Sequence, residues 1–182
     1  MAPERVFEQW DSFYVITGGA AAGLIGLLFV VVTLNGGRDR AQALRAVSIY
    51  MTPTVVNFAV VLATSAVAVA PQHTVLATAA VLGVGTLVGL ANASWACIAM
   101  RSRTPGNEPP HWSDFWLYGA APFAICLSLA AADVALWAQA KWAVYAIAAL
   151  MLGLLMLGIR NAWDLVTWLA PQRGGGPDQP VS

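Results

Sequence analysis

Charge is scarce in this chain. Asp, Glu, Lys and Arg make up 10% of its 182 residues, nine acidic against nine basic. So balanced a set excludes the basic stripe that nucleic acid demands. Cysteine is limited to Cys97 and Cys126, both inside apolar runs. That excludes a disulfide framework and zinc-type spacing, and leaves the two thiols as small apolar fillers. Histidine is limited to His73 and His111, in separate polar connections. No HExxH, nucleophile elbow, Gly-rich phosphate loop or paired carboxylate occurs. The chain is therefore not expected to be an enzyme. No residue qualifies as catalytic, cofactor-binding or metal-ligating, and no cofactor is implied.

What the chain has in excess is apolar length. Hydrophobic residues are 59% of the whole and mean hydropathy is +0.68, far outside the range of a soluble domain. The stretch Phe13–Leu34 is uncharged over 22 residues; at 1.5 Å per residue it reaches roughly 33 Å as a helix, enough to cross a bilayer. Similar runs cover about 47–70, 74–100, 115–138 and 142–169. The expected fold is all-α: a polytopic membrane bundle of five transmembrane helices, one leading helix and two hairpins, spanning 13–170. An interfacial segment 1–12 precedes it, with residues 3–12 expected as a short helix carrying Val6, Phe7 and Trp10 on one side. A flexible tail, 171–182, follows. The segment ahead of the first span holds Arg5 against Glu4, Glu8 and Asp11, the wrong sign for a secretory leader, so that span is expected to stay as an anchor.

Orientation follows from the nine Lys and Arg residues. Arg38, Arg40, Arg45, Arg101, Arg103, Arg160 and Arg173 fall on one side of the five spans, Arg5 and Lys141 on the other. The positive-inside rule then puts the N-terminus outside and the C-terminus in the cytoplasm. Trp10, Tyr14, Trp137 and Trp142 are expected in the outer aromatic belt, and Trp112, Trp116, Tyr118, Trp163 and Trp168 in the inner one. His73 and His111 then lie on opposite sides and cannot share a metal.

Two features inside the spans bear on function. Gly19-Ala-Ala-Ala-Gly23 is a GxxxG, extended by Gly26, and Gly85 and Gly89 form a second small ridge. Such ridges let helix backbones approach closely, although an Ala-rich composition produces them too. The polar residues are Asn57, Thr64, Ser65, Thr86, Asn92, Ser94, Asp133 and Asn161. They can line a path, bond between helices, or bond back to their own helix. Asp133 is the one acid well inside a span, about five residues from its outer end. It reads either as a near-surface carboxylate reaching water or Lys141, or as an ion or proton ligand. Arg160 and Asp164 have the i,i+4 spacing of a helix-surface ion pair.

Pro53, Gly89 and Asn92 recur 69 residues later as Pro122, Gly158 and Asn161. Sliding by that interval lays the second and third spans on the fourth and fifth, an internal repeat of two hairpins. Proline cannot donate to the carbonyl four residues back. Asn92 is accordingly expected near the Ile49–Pro53 turn, and Asn161 near the Tyr118–Pro122 turn.

The run GGAAAGLIGLLFVVVTLN after W-x2-F-Y, and the ending GIRNAWDLV, resemble small uncharacterised polytopic membrane proteins of actinobacterial type. Some of that group are labelled membrane-protease modulators. The resemblance covers roughly residues 10–169 and brings no catalytic residues; Asp133 is not part of it. It implies a bacterial cytoplasmic (inner) membrane. The small-residue ridges of the first and third spans and the scarcity of buried charge lead to the expectation of a non-catalytic integral membrane protein that works by helix–helix association, as a regulatory or assembly partner of a membrane complex. A small homo-oligomeric channel or transporter is the alternative. The partners expected are the lipid bilayer and either further copies of the chain or a membrane complex.

Overall fold

Five long helices carry the described residues. The computed structural model describes residues 7–34, 51–70, 74–101, 113 and 115–169. The first residues of the expected interfacial helix, the Asn35-Gly36-Gly37 break and its basic loop, Ile49, the Pro71–His73 turn, most of the long third connection and the tail lie outside that set. The helices are α1 (Asp11–Leu34), α2 (Thr52–Val69), α3 (Val75–Arg101), α4 (Ala121–Trp137, led in by a π-helical segment Phe115–Ala120) and α5 (Ala143–Leu169). All five spans are long and apolar enough to cross a membrane. No strand occurs among the described residues. The fold is the all-α membrane bundle its hydropathy implies.

A single 3-10 turn, Glu8–Trp10, runs straight into α1. Phe7 is buried and meets Tyr14 edge-on at 5.2 Å, and Trp10 stacks edge-on with Tyr145 at 5.3 Å. Aromatic rings thus tie the start of α1 to the start of α5.

α2 is the centre of the bundle, packing against α1, α3 and α5, while α4 packs between α3 and α5. α1 lies outside this four-helix group, held mainly by α2. Consecutive helices run antiparallel. The start of α1, the end of α2, the start of α3, the end of α4 and the start of α5 therefore share one end of the bundle, here the first end. Leu82, Leu129, Met151, Leu154 and Phe58 fill the middle.

Helix ends follow local chemistry. The Thr74 hydroxyl accepts from the N–H of Ala77 at 3.2 Å, capping α3. α4 stops at Gln139, whose φ of 60° is left-handed. The Ala140 N–H then reaches the Ala135 carbonyl at 2.9 Å and the Gln139 N–H that of Leu136 at 2.9 Å, a Schellman closure. This turn lies where Gln139-Ala140-Lys141 predicts one.

The close approaches between helices are made by other glycines than the expected ridge. A Cβ on Gly19, Gly23, Gly26 or Gly85 would meet nothing within 4 Å, so these four make no close contact with another helix among the described residues. Gly89 alone of that set packs, on Cys126 and Val60. Gly18 lies against Ser65, Gly119 against Cys97 and Gly158 against Phe58, where an added Cβ would come within 2.8, 2.9 and 2.5 Å respectively. On α1 the helix contact is offset by one residue from the GxxxG, a rotation of about 100°.

Candidate functional site

Buried polar side chains fall into two layers. The first-end layer contains Tyr14 and Thr17 from α1, Thr64 and Ser65 from α2, Thr78 and Thr86 from α3, and Asp133 from α4, all buried. Their placement follows from antiparallel pairing, which sets the first turns of α1 against the last turns of α2 and brings Thr86, about three turns into α3, against Asp133, one turn from the end of α4. Thr17 and Ser65 share a hydrogen bond across the α1–α2 contact, with oxygens 3.2 Å apart.

Asp133 is 6% exposed, its carboxyl turned in against the neighbouring helices one turn from the end of α4. Its Oδ2 lies 2.7 Å from the Thr86 hydroxyl on α3. That same hydroxyl lies 3.0 Å from the carbonyl of Leu82, one turn back on its own helix. Lys141 is exposed at the helix end. The Tyr14 side chain is 0% exposed. Its hydroxyl has no hydrogen-bond partner among the described residues. Burial corrects the expectation that Tyr14 belongs to the outer aromatic belt.

The second layer, towards the other end, is built from amides. Asn161 on α5 donates from Nδ2 to the Leu117 carbonyl at 2.9 Å, while the Tyr118 hydroxyl donates to the Asn161 carbonyl at 3.0 Å. The expected acceptor was the Tyr118 carbonyl, four residues before Pro122. In a π turn each N–H looks five residues back, so Pro122 withholds its donor from Leu117 instead. The shift by one residue has that cause. Tyr118 is buried in this clasp rather than lying in the inner belt.

Asn57 is 1% exposed on α2, and neither amide atom has a partner among the described residues. Asn92 Nδ2 likewise has none there, and Ile49, its expected neighbour, is outside the described set. The second copy of the Pro–Asn pairing is therefore present and the first is not established, so the 69-residue repeat is not confirmed.

Other polar residues satisfy themselves locally. Ser94 donates to Leu90 O at 2.7 Å and Ser128 to Ala124 O at 2.9 Å. Arg160 and Asp164 form the expected i,i+4 pair at 2.7 Å, half exposed; such a pair contributes little. Among the described residues no group of His, Cys, Asp and Glu could hold a metal ion.

Sequence reasoning missed Tyr14, Thr17, Thr54 and Thr78 as buried polar groups. For α1 a signal existed: Tyr14, Thr17, Gly18, Ala21 and Leu28 recur at helical spacing, and this stripe is the buried one. Comparison with protein-family models, with curated proteins and with solved structures finds no match, which leaves the two polar layers to be read from their own chemistry.

Proposed function

We propose that this integral membrane protein is non-catalytic and acts through helix–helix association, as a regulatory or assembly partner of a membrane complex in a bacterial cytoplasmic membrane. The observation that carries the reading is the free face of α1. Gly19, Gly23 and Gly26 have open space where a Cβ would sit, and Ala22 between them is exposed. The chain's own packing uses the neighbouring stripe of Gly18 and Ala21. A ridge of small residues that the fold leaves unused offers a second helix a close backbone approach.

The test is a pair of substitutions read in native membranes. Gly23→Leu should lower cross-linking from a cysteine introduced at Ala22 to a neighbouring helix, without changing the thermal stability of the solubilised monomer. Leu27→Ile should leave both unchanged. Equal cross-linking in all three proteins would place the ridge against lipid.

The channel or transporter reading draws on the polar layers. It is disfavoured by their position, since each packs inside one protomer's core rather than on a face that several copies could share.

A further inference from the structure

The Thr86 hydroxyl lies between two oxygens, Asp133 Oδ2 at 2.7 Å and the Leu82 carbonyl at 3.0 Å. It has one proton and can donate to only one of them at a time. Two arrangements satisfy the geometry. With Asp133 ionised, Thr86 donates to the carboxylate and gives up its bond to Leu82. With Asp133 neutral, the carboxyl O–H donates to Thr86 Oγ1, and the Thr86 proton goes to the Leu82 carbonyl. The second arrangement uses every donor, in a relay from Asp133 through Thr86 to the backbone of α3.

Among the described residues Asp133 has no ion-pair partner: Lys141, at the same end, is exposed, and Asp11, at the start of α1, is another acid. Among the described residues, α2 has no titratable side chain, and α3 has only Cys97 and Arg101, near its far end. On α5, Tyr145 is exposed, and Arg160 and Asp164 pair with each other at the far end. The π segment contributes Tyr118, bonded at that same end, and α4 itself contributes Cys126, two turns away. From α1 comes Tyr14, buried, with an unpartnered hydroxyl. A carboxylate in hydrocarbon without a counter-charge is costly, whereas a neutral, fully hydrogen-bonded carboxyl is not.

We propose that Asp133 and Thr86 form an intramembrane proton-binding site, one proton per chain, loaded from the water at the first end of the bundle. Loading forms the O–H bond on Oδ2 with a proton from water and breaks no covalent bond in the protein. The Thr86 proton turns from the carboxylate to the Leu82 carbonyl. Asp133 lies one turn in from Trp137, close enough to the end of α4 for exchange with interfacial water.

The test is infrared spectroscopy of the full chain in liposomes of zwitterionic lipid, titrated with pH. A carboxylic-acid carbonyl band should be present at neutral pH and absent from Asp133→Asn, where surface carboxylates are already ionised. Thr86→Val should shift that band, because its hydrogen bond is gone, and Thr86→Ser should restore it. If Asp133→Asn does not fold, wild type carrying carbon-13 in its aspartate carboxyls, compared with labelled Thr86→Val, gives the same readout. A carboxylate band alone at neutral pH, or an acid band unmoved by Thr86→Val, would overturn the proposal.

Discussion

Asn161 and Tyr118 clasp each other's helices in both directions. The Asn161 side chain donates to the backbone at Leu117, and the Tyr118 hydroxyl donates to the backbone at Asn161. Each bond ties a side chain of one helix to the main chain of the other, at the place where Pro122 interrupts the backbone ladder.

Replacing Asn161 with Leu should therefore loosen the α4–α5 contact. Interhelical hydrogen bonds in membranes average about 0.6 kcal/mol and reach about 1.7. Leaving the Leu117 carbonyl without its donor places this one in the upper part of that range. Pro122→Ala supplies a backbone N–H near the same carbonyl and should offset part of the loss. Detergent-unfolding curves of the two single variants and the double variant measure the coupling. Additive losses would mean that Asn161 does not serve the proline's carbonyl.

Glycines separate into two classes by what a methyl group would meet. Gly158→Ala drives a Cβ to 2.5 Å from the Phe58 ring and should cost roughly 1–3 kcal/mol, the usual cost of overpacking. Phe58→Leu in the same chain should recover part of it. Gly19→Ala and Gly85→Ala meet open space and should leave the melting temperature of the solubilised monomer unchanged. A loss at Gly19 as large as that at Gly158 would contradict the packing described.

The turn after α4 rests on a non-glycine residue with φ at 60°. Left-handed backbone costs roughly 1–2 kcal/mol for an L residue with a side chain. Gln139→Gly should relieve part of this and raise stability by up to about 1 kcal/mol. Gln139→Val, β-branched at the same φ, should lower it. Thermal denaturation of the two variants side by side decides the matter.

Orientation can be read by labelling intact cells. In a chain with Cys97 and Cys126 replaced by Ala, a cysteine introduced at Gln139 should react with an impermeant reagent added outside. One introduced at Asn107 should react only after the membrane is opened. The reverse pattern would invert the assignment drawn from the Lys and Arg distribution.

Span positions were legible because hydrophobic length is a property of the chain alone. With the π segment counted into α4, the helix ends lie within two residues of the hydropathy limits wherever both are among the described residues. Which side of each helix faces inward was not legible, because lipid and protein interior are equally apolar. α1 shows this most clearly: the ridge at Gly19, Gly23 and Gly26 was the stronger pattern, yet the packed stripe runs one residue away, through Gly18 and Ala21. Tyr14 was hidden for a related reason. Its place near a helix end suited an interfacial ring, and only the closeness of Phe7 and Phe13 turns it inward. The π turn before Pro122 has no periodic signature at all, so the acceptor for Asn161 was displaced by one residue.

Between the two polar layers, the buried face of α2 carries only Phe58, Val60 and Val61, with Gly89 packed on Val60 and Gly158 on Phe58. In electrical terms this slab is a dielectric, and most of a voltage applied across the bilayer falls over it. A full crossing is worth about 2.3 kcal/mol per charge per 100 mV. Asp133 stands on one plate of that capacitor rather than within the gap, so its proton traverses only a small part of the field. Its occupancy should follow the acidity of the compartment it faces and stay nearly blind to membrane potential.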